Sequence, residues 1–332
     1  DDPAGLLALP VGFSYRVVSR GGPGGQEPGT QPVPHGDPTP WGSRLTRAAG
    51  EDGGYVAETA PDDGRTDADP RPVRALGRFA HRAVVADPRR GHLYLTEDAS
   101  GPDGLLYRWT PPRDFAHGPG RLAALSGTDG ALQAFRCFDS GGRFVADLSR
   151  ATRIGTVYGV DWADVPDRAA RQIPVRAQFT GGQVTRAPRL QGMCWAGHGP
   201  YIVSAHPRED GPVRDQGAVW FYNASRRTLT LTALLGATAQ PAPGGGLVLA
   251  GEGDRGHWLY GTLGDGRSYP LARNQLNAGS AQRPEYAGFT AAAFSPDGGT
   301  LFAGIGPAGL VVAVTGPWRP PAAAAPRAAG RP

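Results

Sequence analysis

The stretch AVVADPRRGHLYLTED, Ala83 to Asp98, decides the fold. It runs from an apolar segment through a turn with Asp-Pro and Gly into a second apolar segment, and it ends on acidic residues. Pro fixes φ at the turn and Gly supplies the positive φ of a tight reversal, so the segment specifies a β-hairpin locally. The same unit returns as GMCWAGHGPYIVSAH (Gly192 to His206), APGGGLVLAGEGD (Ala242 to Asp254) and TAAAFSPDGGTLFAGI (Thr290 to Ile305). Beyond a variable loop each unit is followed by one more strand: GLLYRW, GAVWFY, HWLYGT or GLVVAV. One such sheet cannot bury both of its faces. All-strand repeats at roughly 40 to 50 residues therefore predict an all-β fold, a β-propeller of about five or six four-stranded blades, in which neighbouring blades supply each other's core. The irregular spacing sets it apart from WD40-type arrays.

The rest of the chain is read outward from these units. LPVGFSYRVVSR, Leu9 to Arg20, alternates well enough for a strand, and a strand isolated at the N-terminus suits blade closure. The expected organisation is one domain: residues 1–20 as a closing strand, 21–40 as a Gly/Pro-rich loop, 41–318 as the propeller and 319–332 as a disordered tail. Pro38 to Ala60 reads as a worn copy of the unit, and the strands between Phe135 and Val165 fit no particular blade.

Composition narrows the function classes. The chain has 332 residues with Gly 51 and Pro 33, a turn density that suits a closed all-β fold of this length. All 34 basic residues are Arg, and they are scattered along a chain of formal charge +4, which argues against nucleic acid as a partner. No apolar run approaches the ~20 residues of a membrane span, and no signal peptide is visible. Cys137 and Cys194 read as two buried thiols.

Aligning the repeats brings Thr46-Arg47, Glu97-Asp98, His206 and Glu252 to comparable strand ends, where the loops of a propeller build sites. Acids converging from separate blades repel unless a cation lies between them, so Glu97, Asp98, Glu252 and Asp254 are candidate calcium ligands. Acids at strand ends are also ordinary caps and turn formers, and both readings stay open.

GDPTPWGSRLT, ALGRFAHRAV, DPRRGHLYLTED, FTAAAFSPDGGTLF and AVTGPW, in that order, resemble the PhoX-type alkaline phosphatases, a bacterial family of exported β-propellers. The resemblance runs over most of residues 9 to 318. It implies a six-bladed type of propeller, Tat-dependent export, and a central iron and calcium cluster that hydrolyses phosphate monoesters. A chain without a signal peptide would instead stay in the cytoplasm. The ligand motifs of the family are altered here. Thr46, Arg47, Ala48 and Ala49 stand where it has Thr-Cys-Glu-Glu, and His81-Arg82 where it has His-Glu. Arg189, Leu190, Gln191 and Gly192 stand where it has Arg-x-Glu-Gly. Thr96, Glu97 and Asp98 are intact, and Glu252 keeps its place with Gly253 where an Asp is usual.

Exchanging anionic donors for guanidinium groups removes what a ferric site needs, so the expected cofactor is calcium or none, without the iron cluster. The short N-terminal part leaves room for one blade fewer than the family has. Two readings follow. Either a repurposed enzyme binds an anionic or polar small molecule through Arg47, Arg82, Arg189 and Gln191, with His81, Glu97 or Glu252 moving protons, or the chain is a pseudoenzyme or binding module. A weak metal-dependent phosphomonoesterase is the alternative within the family. The sequence leaves the oligomeric state open.

Overall fold

A computed structural model of the chain describes residues 5–20, 37–47, 53–59, 71–99, 102–204, 217–234, 238–242, 247–253, 256–262, 268–277, 279–280, 282, 285–286, 288–295, 297–306 and 309–318. Among the described residues the structure is all-β, with four short 3-10 turns and no α-helix. No helix among them is long and apolar enough to cross a membrane.

The strands are, in order, β1 (Leu7–Ala8), β2 (Ser14–Arg20), β3 (Asp37–Pro38), β4 (Arg44–Arg47), β5 (Val56–Thr59), β6 (His81–Ala86) and β7 (Leu93–Glu97). There follow β8 (Leu106–Thr110), β9 (Ala131–Phe138), β10 (Phe144–Val145), β11 (Val157–Asp164), β12 (Leu190–Ala196), β13 (Gly199–Ser204), β14 (Ala218–Asn223) and β15 (Thr228–Ala233). The last are β16 (Thr238–Pro241), β17 (Leu247–Gly253), β18 (Gly256–Thr262), β19 (Ser268–Asn274), β20 (Phe289–Phe294), β21 (Thr300–Ile305) and β22 (Leu310–Thr315).

The strands fall into two compact units. One takes in both ends of the chain, Asp1–Thr30 and Gln240–Pro332, and the other is Gln31–Ala239. In the terminal unit a five-stranded sheet runs β1-β19-β18-β17-β16, and a four-stranded sheet runs β2-β22-β21-β20. N-terminal β2 pairs antiparallel with C-terminal β22, Tyr15 opposite Val314. Leu7, Leu259, Leu301 and Val312, all but closed to solvent, form the core between these sheets. The expected sequence units reappear here as the hairpin β20–β21 and as β17 with β18.

In the middle unit β3-β4-β5 form a small sheet, and a ten-stranded sheet runs β12-β13-β14-β15-β11-β9-β8-β7-β6, with β10 paired to β9. Its two edge strands meet. Thr96 Oγ1 at the end of β7 donates to the Gln191 carbonyl of β12 (3.2 Å), and Arg82 Nε of β6 donates to Gln191 Oε1 (3.0 Å), so the sheet nearly closes on itself. β11 is shared: Val157 to Gly159 pair with β15 and Gly159 to Asp164 pair with β9. The region from Phe135 to Val165 fits no single repeat for this reason.

The β6–β7 turn follows its chemistry. Asp87 Oδ1 accepts from the backbone N–H groups of Arg89 (2.8 Å) and Arg90 (3.1 Å), an Asx turn, and Gly91 takes φ 70°. β3 begins at Asp37, inside the stretch expected as loop, because Asp37 Oδ2 accepts from Val84 N of β6 (2.8 Å). Arg168 donates to three carbonyl oxygens, those of Ala75, Asp129 and Gly130, pinning separate loops together. Cys137 on β9 and Cys194 on β12 are free, buried thiols, each pushed up to about 12 by burial.

Candidate functional site

The sequence candidates of the middle unit gather where β7 ends against β12. Glu97, the last residue of β7, is 0% exposed. Its Oε2 accepts from the Tyr107 hydroxyl (2.6 Å) and its Oε1 from Arg176 Nη1 (3.2 Å). Burial raises the Glu97 carboxyl above the usual carboxylate range, and the bonds from Tyr107 and Arg176 pull it partly back. The Tyr107 hydroxyl is itself pushed well upward by burial and by the adjacent Glu97 charge.

Asp98 is one residue further on, its side chain 21% exposed. Its Oδ2 accepts from Gln191 Nε2 (2.6 Å), and its Oδ1 lies 3.2 Å from Arg189 Nε. Gln191 Oε1 in turn accepts from Arg82 Nε, so one amide links a carboxylate to a guanidinium. Arg82 is exposed and sits in a β-bulge between His81 and Ala83, an irregularity that re-aims a side chain at a strand end. Arg189 has φ +48°, a left-handed conformation uncommon for a non-glycine residue, and its side chain is 58% exposed. Thus hydrogen bonds link Arg82, Gln191 and Asp98 at the surface, an ion pair adds Arg189, and the Glu97–Tyr107–Arg176 group is buried beside them.

His81 opens β6 directly opposite Glu97 in the ladder. Its Nε2 bonds to the Gly77 carbonyl (3.0 Å), so that nitrogen carries the proton, while Nδ1 is shut from solvent with no partner among the described residues. Part of the residue's surface is open, yet the ring lies among protein atoms. Burial lowers its pKa to about 4 and the Arg47 charge adds to this, against the Gly77 bond. The ring packs on Phe79 at 3.7 Å between centroids, and Phe79 stacks on Tyr107 at 4.3 Å, so His81 and Glu97 are joined through an aromatic ladder.

Arg47 ends β4 and is exposed; its charge acts on His81 and on Asp37. Glu252 lies on β17 of the terminal unit, opposite His257 in the strand ladder. Asp254, His206, Ala48 and Ala49 fall outside the described residues. Among the described residues no group of three His, Cys, Asp or Glu side chains gathers around a point that could hold a metal ion.

Arg176, like Tyr107, is a residue that sequence reasoning missed. It belongs to a 3-10 turn, Val175–Gln178, far from Glu97 in the chain, and Arg186 Nη2 donates to its carbonyl (3.0 Å). Nothing local to VRAQ marks it. An unbroken supply of Arg in a chain without Lys hides the one that is buried against a carboxylate.

The model of the family alkaline phosphatase PhoX matches residues 30–309 of the chain. The chain belongs to the PhoX family. Its fold is similar to that of Pseudomonas fluorescens PhoX, solved in complex with vanadate, a transition state analogue, with a TM-score of 0.53 and 17% identity. The likeness covers 79% of this chain and 57% of that one, so the chain spans little more than half the length of that PhoX. No curated protein matches the chain.

Proposed function

We propose that this PhoX-family chain is a divergent β-propeller, with the sheets described above as about five blades, that binds a small anionic or polar molecule at the Arg82–Arg189–Gln191–Asp98 surface and has little ordinary phosphatase activity. Support for the blades comes from the antiparallel sheets β2-β22-β21-β20 and β16 to β19, and from the two halves of the ten-stranded sheet, whose edges β6 and β12 lie side by side.

The observation that carries the proposal is the occupancy of the carboxylates. Both oxygens of Glu97 are matched by Tyr107 and Arg176, and both of Asp98 by Gln191 and Arg189. A donor set whose lone pairs already face a phenol, an amide and two guanidinium groups does not fit an iron–calcium cluster, and Arg176 supplies the positive charge that a cation would bring to Glu97. Calcium at Glu97 and Asp98 would have to displace these partners. In this reading Arg82 and Arg189, with Arg47 further along the surface, attract the anion through charge-assisted hydrogen bonds. Glu97, with its raised pKa, is the group suited to a proton transfer, and His81 and Glu252 are secondary candidates. The closed-off state of Glu97 favours the second reading, a binding module without turnover. Export of the protein belongs to the family resemblance and is part of the same proposal.

Metal analysis of the purified chain, together with turnover of p-nitrophenyl phosphate, tests this directly. The expected result is iron well below stoichiometric amounts and hydrolysis at background, with little recovery on adding calcium. Stoichiometric iron with robust turnover would overturn it. Arg82→Ala is expected to weaken binding of inorganic phosphate about tenfold, equivalent to about 1.4 kcal/mol, with thermal stability nearly unchanged.

A further inference from the structure

A cleft lies elsewhere in the middle unit, where the bend between β3 and β4, the β6–β7 turn and the β8–β9 connection come together. It encloses about 460 Å³, within the usual range of small-molecule sites. One wall is aromatic and fixed. Trp41 stacks on His117 at 4.5 Å between centroids with 29° between planes, and Phe115 meets the same imidazole edge-on at 4.9 Å. The Trp41 indole N–H is tied to Glu58 Oε1 (3.0 Å), and Phe115 rests edge-on against Trp109 (5.9 Å), so the wall is held from behind. Burial disfavours the charged ring of His117 and lowers its pKa, partly offset by the Glu58 charge.

The other wall is cationic. Arg89, Arg90 and Arg113 line it against a single carboxylate, that of Asp87. Asp87 Oδ1 accepts from two backbone N–H groups, while its buried Oδ2 has no hydrogen-bond partner among the described residues and forms an ion pair with Arg90 at 3.5 Å. Arg90 also donates to Ser225 Oγ. Arg89 and Arg113, both exposed, make no side-chain hydrogen bond or ion pair among the described residues. The cleft thus pairs a rigid apolar surface with two uncommitted guanidinium groups.

We infer that this cleft is a binding site for a planar aromatic anion, its ring laid along the Trp41–His117–Phe115 wall and its charged group held by Arg89 and Arg113. A neutral aromatic molecule would leave the guanidinium pair unmatched, and a bare inorganic anion would leave the aromatic wall wetted. Guanidinium forks bind planar carboxylates in two parallel hydrogen bonds, and aromatic faces add area at low entropic cost. The site shares no residue with the Glu97–Asp98 surface.

Calorimetric titration with 2-naphthoate, with 2-naphthol as the neutral analogue, decides the matter. The naphthoate is expected to bind at one site, and naphthol at least tenfold more weakly. Combining Arg89→Ala with Arg113→Ala, both exposed and thus tolerated by the fold, should weaken naphthoate binding tenfold or more. Arg82→Ala should leave it unchanged, which separates this site from the one proposed for phosphate. The inference fails if naphthoate gives no binding heat, if naphthol binds as well, or if the double variant binds naphthoate like the parent chain.

Discussion

At the scale of the residue, His81 shows how burial sets a charge. Its ring cannot take a second proton without leaving an imidazolium against Phe79 and near Arg47, so its folded pKa falls to about 4 from the ordinary 6.5. A folded pKa below the unfolded one means stability that is present above the unfolded value and lost as pH falls through the folded value. The window is therefore about pH 6.5 down to about 4, and the loss at pH 5 from this group is about 2 kcal/mol. His81→Gln keeps an N–H donor for the Gly77 carbonyl and cannot titrate. In urea unfolding the variant is expected to lose about 2 kcal/mol less than the parent chain between pH 7.5 and pH 5; equal losses would show that the ring is protonated freely in the fold. Glu97 works in the opposite sense. Its raised carboxyl pKa contributes stability below the unfolded value that disappears as pH rises through the folded one. His81, Arg82, Glu97, Asp98, Arg189 and Gln191 were all legible as residues of interest, because the family motif gives their positions. Their partners were not legible: Arg176 and Tyr107 come from other elements, and only packing brings a 3-10 turn onto the end of β7.

At the scale of the element, the entries to two strands carry Gly for a reason of space. Gly104 precedes β8, and a Cβ built there would lie 1.9 Å from the Glu97 carbonyl oxygen. Gly199, at the start of β13, would meet the Tyr222 carbonyl at 1.7 Å. Backbone oxygen cannot step aside as a flexible side chain can. Gly104→Ala is expected to destabilise the chain by about 3 kcal/mol through overpacking at the end of β7, and to loosen the Asp98–Gln191 bond. Thermal unfolding with a midpoint matching the parent chain would refute it. The hairpins themselves were readable from turn chemistry: Ala83 to Asp98 became β6–β7, Gly192 to His206 became β12–β13, and Thr290 to Ile305 became β20–β21. Between Phe135 and Val165 the pattern gave strands without a home, since β9 and β11 pair with each other while β11 also serves β15. A strand with two partners has no signature in a linear pattern.

At the scale of the whole molecule, the two ends of the chain belong to one unit. Leu7, 1% exposed, enters the core with Leu259 and Val312, Phe13 packs edge-on to Trp318 at 4.8 Å, and Ser14 Oγ meets Thr315 Oγ1 at 3.1 Å. Removing residues 1–20 would strip β1 from β19 and leave β22 as a bare edge, a template for association between chains. The truncated chain is expected to lose cooperative thermal unfolding or to aggregate, as read by calorimetry and light scattering. Retention of the parent midpoint and a monodisperse profile would show that β2 is dispensable. The resemblance spread along the sequence and the all-β fold agree with the family to which the chain belongs.

The double allegiance of β11 has a mechanical meaning. Gly159 is bonded into both ladders at once, so tension applied to β15 reaches β9 through a single residue rather than through a hinge. That overlap is the seam of the ten-stranded sheet: three residues of β11 tie it to β15, against six that tie it to β9. Force drawn across the sheet is therefore expected to part the short β11–β15 ladder first, while the longer β11–β9 ladder stays paired.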